Sequence, residues 1–350
     1  MGEDERFEAW LRVPLPPQPP HPHLEVRRAH PSEFEKIYAL VDEAFGTNRP
    51  RALYDWLYRR NPNGTARCWI VVDKNSGKLA ASGADCPWSV AQGDQPRNGY
   101  LTADYAVSPG WQGRSMTELR RKVRFSHPWT AQEIQLAWPN VKSVGRTRKH
   151  GRSESLLGPI PQGHLDLGTG ATRTRAAQAG WRRTSSGRAP EPGVEELRSF
   201  DSAFDGLTRR CMAWDGFWLP HDSEFLNWRY LAHPTREYIA FALAASEDVA
   251  AYAVVNVCRR SARLMEFVAP QQPDHVPRAL LRRAAEVARE AGCRRLGFFS
   301  GPAWPHWPLF RSAGFTQGGG EMYFLADGPQ PPQVRRLENW RFVPGDSDDR

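Results

Sequence analysis

Apolar positions along this chain switch repeatedly between a period of two and a period near 3.6, the signatures of strand and helix. Leu24–Ala29 alternates as a first strand, and Pro31–Phe45 follows as an amphipathic helix with Phe34, Ile37, Leu40, Val41 and Phe45 at helical spacing and a proline at its start. A second helix is expected over Arg51–Arg60. Cys68–Asp73 and Leu79–Val90 read as strands joined by a turn at Asn75, Ser76 and Gly77. Tyr100–Val107 alternates again, with Leu101, Ala103, Tyr105 and Val107 assigned to one face, and runs through a Pro/Gly turn into a helix beginning near Ser115. Glu133–Trp138 is then a strand, WPN a turn, Val141–His150 a short helix ending at Gly151, and SLLGPI a closing strand. This order predicts a mixed α/β domain of about 140 residues.

The second half repeats the first. LYDWLYRRNP and FLNWRYLAHP share Trp-x-Tyr-x-x-x-Pro, as Trp56, Tyr58, Pro62 and Trp228, Tyr230, Pro234, each followed by an apolar strand. Around the second copy, Val194–Phe200 is expected as a strand, Asp201–Cys211 as a helix, Val249–Val257 and Arg263–Val268 as strands, Val276–Ala291 as a long helix and Arg295–Phe299 as a strand. Five segments result: a proline-rich arm at 1–23 expected to be extended or disordered, a first domain at 24–162, a polar linker at 163–193, a second domain at 194–328 and a tail at 329–350. The Trp-rich stretch Trp214–Trp228 is expected to pack as core between the domains.

A length of 350 residues allows two cores of this size. No apolar run approaches the roughly 20 residues that span a bilayer, and no leader core precedes the arm, which places the chain in the cytoplasm and away from membranes. The five cysteines are scattered, without Cys-x-x-Cys or Cys/His pairs, so no metal site is expected. A net charge of +8 suits nucleic acid or a polyphosphate ligand alike. Much of the excess lies in Arg146–Arg152 and in the Gly/Ser/Ala-rich stretch Thr172–Arg188, both readable as solvated surface.

The stretch VSPGWQGRSMTELRRKV carries the candidate chemistry. Turn amides at Gln112, Gly113 and Arg114, followed by the unpaired amides of a helix start at Ser115, Met116 and Thr117, can hold a pyrophosphate without any side chain. Taken alone, the same pattern is an ordinary strand-to-helix connection. Context decides between them.

The order of elements and VSPGWQGRSM resemble the GNAT superfamily of acyl-CoA N-acyltransferases, whose fourth strand leads through Arg/Gln-x-x-Gly-x-Gly/Ala into the helix that binds the CoA pyrophosphate. Gln112 takes the first position, Gly113 completes the common Gln-Gly pair, and Val107 and Pro109 fit the family's Val-x-Pro entry. Ser115 and Thr117 stand where the family has glycine and glycine or alanine. WPNVKS resembles the later turn in which an asparagine, here Asn140, opens the helix beside the pantetheine arm. The likeness covers about residues 24–162. It implies acetyl-CoA or another acyl-CoA as co-substrate and a backbone N–H near Val107 that meets the thioester oxygen.

An amine attacking a thioester needs a base and a proton for the departing thiolate. Asp104, three residues before Val107, is the candidate base, directly or through water; Asp85 and Glu133 are other carboxylates in reach of the pattern. The family's tyrosine on the helix after the fifth strand has no counterpart here. Ser143, Thr147, His150 and, on the fourth strand, Tyr105 remain as donors, while Arg114, Arg120 and Arg121 are candidates for the phosphates. In the second domain APQQPDHVP replaces the glycine turn, and Pro270, Pro273 and Pro277 lack the amides a cradle would use, so only the first domain is expected to bind CoA. The expected activity is transfer of an acyl group to a primary amine of a small molecule. The alternatives are a non-catalytic CoA-binding or interaction protein and an aminoacyl-tRNA-dependent transferase, the last of which would need nucleic acid as partner.

Overall fold

The computed structural model describes residues 3–15, 22–126, 133–149, 153–168, 193–244, 249–272, 274–318, 322–328 and 332–347. The chain begins with a helix, α1 (Glu3–Arg12), inside the stretch expected to be an extended arm. Its sequence EDERFEAWLR places Phe7, Trp10 and Leu11 on one stripe ahead of the first proline, Pro14. Phe7 and Trp10 are buried against Leu24, Trp69 and Val71, with Trp10 edge-on to Trp69 at 5.7 Å between ring centres. Residues 16–21, the middle of the proline-rich run, lie outside the described residues.

The first lobe continues as β1 (Leu24–Arg28), α2 (Phe34–Phe45), α3 (Arg51–Tyr58), β2 (Arg67–Asp73), β3 (Leu79–Gln92), β4 (Gln95–Val107), α4 (Met116–Ser126), β5 (Ile134–Ala137), α5 (Val141–Lys149) and β6 (Leu156–Leu157). Helices α2 and α3 cover one face of the sheet, where Phe34, Ile37, Val41 and Leu57 meet Ile70, Ala84 and Leu101. Helix α4 covers the other, with Met116 and Val123 against Val26, Trp69, Val71 and Ala81. Burying a side chain of this size contributes about 1.5–3 kcal/mol, so two such faces hold the sheet between its helices.

The second lobe comprises β7 (Gln162–Asp166), β8 (Val194–Glu196), α6 (Ser202–Met212), β9 (Phe217–Trp218), α7 (Ser223–Leu226, prolonged by a π-helical turn over Asn227–Leu231), β10 (Tyr238–Ala244), β11 (Val249–Cys258), β12 (Ser261–Val268), α8 (His275–Glu290), β13 (Arg295–Phe299), α9 (Trp307–Ser312) and β14 (Thr316–Gln317). Two further strands follow, β15 (Phe324–Asp327) and β16 (Trp340–Arg341).

The first sheet runs β1-β2-β3-β4-β5-β15-β6 and the second β8-β10-β11-β12-β13-β7-β14. These are the same order with one strand exchanged. β15, from the second half of the chain, lies antiparallel between β5 and β6, with Leu325 opposite Ala137. β7, from the end of the first half, lies antiparallel between β13 and β14, with Leu165 opposite Leu296. Each lobe therefore completes the sheet of the other, and boundaries drawn at 162 and 328 put β15 in the second domain although it pairs in the first sheet, and put β7, apart from Gln162, in the expected linker although it pairs in the second. An alternating stretch announces a strand but not its partner.

The stretch expected as a tail also packs. Val334, Trp340, Phe342 and Val343 are buried, Trp340 stacks on Phe217 at 4.9 Å, and β16 pairs in parallel with β9. The Trp-rich stretch joins this seam, where the indole N–H of Trp218 donates to Gly93 O across the lobes at 2.9 Å. Among the described residues no helix is long and apolar enough to cross a membrane. Residues 169–192, which contain the whole of the second basic stretch, lie outside the described residues.

Candidate active site

A bulge in β4 shapes the site. Ser82 stands opposite Ala106 and Ala84 opposite Ala103, so Asp104 and Tyr105 share Gly83 as their partner. Asp104 adopts φ 48, a left-handed conformation that costs a non-glycine residue on the order of 1–2 kcal/mol. The extra residue reverses the alternation. Leu101, Ala103 and Ala106 face α2 and α3, while Tyr105 and Val107 face α4, so these four alternating positions do not share a face as the pattern predicted. Gly83 lies close beneath the bulge, where a Cβ would stand 2.7 Å from Arg120 Nη1 and displace that buried guanidinium.

Beyond the bulge β4 loses one neighbour. Its parallel pairing with β5 covers only Gly99–Leu101 against Ile134–Leu136, after which the two strands diverge. On the other edge the Ser108 N–H donates to Ala80 O at 3.0 Å. Antiparallel bonds alternate, so the N–H and C=O of Val107 point away from β3 and into the gap left by β5. The Val107 carbonyl accepts the Gln112 side-chain amide at 3.4 Å.

The turn after Val107 is a single 3-10 turn, Pro109–Trp111, followed by Gly113 at φ 78 and Ser115 at φ 60. The N–H groups of Glu118 and Leu119 both donate to Ser115 O, at 3.0 and 3.1 Å, so the amides of Met116 and Thr117 precede the first intrahelical bond of α4. Gln112, Gly113, Arg114 and Ser115 are exposed, whereas the Met116 side chain is buried beneath them. The side chain of Thr117 lies outside the described residues. Ser115 meets in its backbone the left-handed demand that explains a glycine at that place.

The three arginines separate. Arg114 is exposed at the turn with its guanidinium 5.3 Å from the Trp111 ring. Arg120 is buried under the sheet, 4.5 Å from the Tyr105 ring, and Arg121 pairs with Glu118 of its own helix at 2.9 Å. Of the three, only Arg114 is at the turn.

Asp104 is 7% exposed and faces α2 and α3. Its Oδ1 accepts from Arg49 Nη1 at 2.7 Å and its Oδ2 from the Tyr58 hydroxyl at 3.2 Å. Asp42 braces the same corner, accepting from the Tyr54 hydroxyl at 2.9 Å and from the Arg49 N–H at 3.2 Å. Burial, with that Asp42 bond, pushes the Tyr54 hydroxyl far above the ordinary phenol range. Tyr105, although adjacent in sequence to Asp104, lies on the opposite face with its hydroxyl buried and without a hydrogen-bond partner among the described residues. It therefore does not share a site with Asp104. Asp85 and Glu133 belong to that opposite face too, in ion pairs with Arg124 and Arg67 at 2.5 Å each. Burial raises the Glu133 carboxyl against the pull of Arg67. Asn140 caps α5, its Oδ1 accepting the Ser143 N–H at 2.9 Å, which places Ser143 in the first turn of that helix. His150 lies outside the described residues.

Arg49 and Tyr54 were not among the residues singled out from the sequence. A signal was present: Arg49 precedes Trp56 by the same interval as His221 precedes Trp228.

No family model matches the chain, and no curated protein matches it in sequence. Solved structures do. A probable N-acyltransferase of Enterococcus faecalis V583 superposes with a TM-score of 0.59 at 9% identity, over 86% of this chain and 72% of that one. N-myristoyltransferase of Saccharomyces cerevisiae gives 0.56 at 11%, over 95% and 88%. A GCN5-related N-acetyltransferase from Anabaena variabilis gives 0.58 at 10%, over 86% and 72%. The chain has the GNAT fold, in two lobes.

The second GNAT lobe repeats the divergence of strands but fills it. β12 and β13 pair over Ser261–Arg263 and Arg295–Gly297 and then separate. Trp304 occupies the space, 4.3 Å from the Phe298 ring and 5.9 Å from the Phe267 ring, and His306 Nε2 bonds Ala269 O at 3.1 Å. Pro277 sits in the first turn of α8 and has no amide to offer. On its other face this lobe buries Glu266 against the Tyr230 hydroxyl and His221 Nδ1 (2.9 Å), and His221 Nε2 meets Asp346 Oδ1 at 2.7 Å. Burial opposes charge on His221, but Glu266 and Asp346 outweigh it and raise the imidazole to about 10. Two cavities, of about 630 and 790 Å³, lie elsewhere: one at the seam of the lobes beside Trp88 and Trp218, the other over the second sheet beside Arg263 and Phe299.

Proposed function

We propose that the first GNAT lobe binds an acyl-CoA, acetyl-CoA in the simplest case, and transfers its acyl group to a primary amine. The observation that carries this reading is the left-handed pair Gly113 and Ser115 opening α4 directly beside a β4 whose Val107 N–H faces a gap that no strand among the described residues pairs across. The Gln112 and Arg114 amides donate within the turn, to Pro109 O and Trp111 O at 3.4 Å each, so the Gly113 amide and those of Met116 and Thr117, ahead of the first intrahelical bond of α4, are the ones that suit a pyrophosphate, and Arg114 adds a cation at that point. Asn140 stands at the start of α5, past the diverging end of β5, and suits the pantetheine arm. The structure of the yeast N-myristoyltransferase that this fold resembles contains myristoyl-CoA, which supports acyl-CoA as the donor class.

In this reading the acceptor nitrogen forms a bond to the thioester carbonyl carbon, and the Val107 N–H receives the oxygen as it gains charge. Asp104 takes the amine proton. Because Arg49 holds one of its oxygens and Tyr58 the other, the proton reaches it directly at Oδ2 or by way of the Tyr58 hydroxyl. Ser143 is the donor we assign to the departing thiolate. Release of free thiol from acetyl-CoA, followed across a library of amines, tests the reaction. Asp104→Asn should lower turnover about 100-fold while CoA still binds, and Tyr58→Phe should do the same only if the proton passes through the hydroxyl. A protein that binds CoA but releases no thiol with any amine of the library would be a binding protein instead, and the transfer reading would fall.

A further inference from the structure

Four residues of the first lobe recur 172 positions later: Arg49 as His221, Trp56 as Trp228, Tyr58 as Tyr230 and Pro62 as Pro234. The recurrence is structural as well. In each lobe the cation before the second helix and the tyrosine within it bind one carboxylate from the bulged fourth strand: Arg49 and Tyr58 hold Asp104, and His221 and Tyr230 hold Glu266. Glu266 stands opposite Val254 as Ala106 stands opposite Ser82, so its carboxylate comes from one same-face step beyond the place of Asp104. The chemistry of the corner is kept while the strand position shifts.

The two corners also differ in how a second carboxylate meets the cation: in the first lobe Asp42 takes only the main-chain N–H of Arg49, at 3.2 Å. In the second lobe a second carboxylate, Asp346, binds the far side of the cation, delivered by the segment Val343–Ser347. That segment is held tightly: Arg229 donates to Gly345 O and Ser347 O, and a Cβ on Gly345 would strike the Tyr230 hydroxyl and Glu266. The cation there carries two anions, one from the strand and one from an inserted chain. In the first lobe Arg49 has Asp104 alone as ion-pair partner among the described residues, and its side chain is 24% exposed. Its guanidinium is oriented between the Phe45 and Tyr54 rings, 5.7 Å from each, and Phe45 is itself exposed.

We infer that Arg49 binds a carboxylate of the acceptor, at the place that Asp346 takes on His221, so that the acceptor class is a small amino acid. This rests on the acyl-transfer reading for the identity of the ligand as acceptor, but the carboxylate site itself does not require it. A guanidinium keeps its charge throughout the physiological range and has further donors beyond the one given to Asp104, which suits it to a second carboxylate. The acceptor's amino group would then approach the Tyr58 and Asp104 side of the gap.

The test is direct binding, without CoA. N-acetylglycine, N-acetylalanine and N-acetylphenylalanine, each beside its primary amide, are titrated calorimetrically into the full chain. The acids should bind at least about tenfold more tightly than the amides, and Arg49→Gln should remove that difference while Arg49→Lys keeps part of it. Thermal unfolding of each variant separates loss of the site from loss of the fold. Equal affinity for acid and amide, no binding of either, or a preference that survives Arg49→Gln in a folded protein overturns the inference. Carboxylate binding that depends on Arg49 in a protein that fails to bind CoA would remove the acyl-transfer reading and leave this site in place.

Discussion

Trp56 and Trp228 each donate an indole N–H to the other's main-chain carbonyl, at 2.9 and 3.0 Å, with their rings stacked 4.3 Å apart. The two tryptophans that mark the internal repeat thus meet each other, and the local twofold relation of the lobes passes between them. Removing either ring takes away a buried stack and leaves a buried carbonyl without its donor. Trp56→Ala and Trp228→Ala should each cost about 3–5 kcal/mol. The double variant should lose at least about 1 kcal/mol less than the sum, read by urea unfolding. Additive losses would mean that the pair does not act as a unit.

Exchange of β7 and β15 makes each sheet depend on both halves of the chain. Residues 1–168 expressed alone should aggregate, and so should residues 193–350. Expressed together they should copurify as one particle with the circular dichroism of the intact chain. A soluble, cooperatively folded first half on its own would contradict the exchange.

His221 sets a pH dependence of stability. Its folded value, about 10, lies above the ordinary histidine range near 6.5, so the folded state binds the proton more tightly than the unfolded state. The stabilisation is complete below about pH 6.5 and is lost as pH rises toward about 10. Melting temperature should fall over that window, and His221→Gln, which leaves Glu266 and Asp346 facing each other without a cation, should lower stability at pH 7 by roughly 3–5 kcal/mol and flatten the slope. An unchanged slope in the variant would assign the pH dependence to other groups.

Ser115 carries a left-handed backbone at the turn of the candidate cradle. Ser115→Gly relieves that strain but frees the unfolded chain, with a net gain of up to about 1 kcal/mol. If the amides rather than the hydroxyl hold the ligand, CoA affinity should stay within about twofold. A large loss of affinity in Ser115→Gly would give the hydroxyl the role now assigned to the backbone.

Much of this was legible in the alternation and the repeat. Arg295–Phe299 is the strand the pattern predicted, residue for residue, and α4 starts one residue after Ser115. The helix at Glu3–Arg12 was obscured by the prolines that follow it, although Phe7 and Trp10 carried the helical spacing. The bulge was not legible, because an inserted residue at Asp104 changes the face of Tyr105 without changing the apolar pattern. Nor was the strand exchange, since pairing depends on contacts far apart in sequence. At the site, the turn from Gln112 to Thr117 stood out through its glycine, whereas Arg49 did not, because a lone arginine before a helix reads as solvated surface until its partner Asp104 is seen.

The central claim is that the turn at Gly113 holds an acyl-CoA. Calorimetric titration of the full chain with acetyl-CoA and with CoA measures it most directly, with Gly113→Asp as control. That substitution forces a side chain onto φ 78 and places a negative charge among the amides offered to the pyrophosphate. Saturable binding of both ligands at one site, weakened at least about tenfold by Gly113→Asp in a folded protein, is the predicted result. No binding of either ligand to the unaltered chain, or binding that Gly113→Asp leaves untouched, would contradict it.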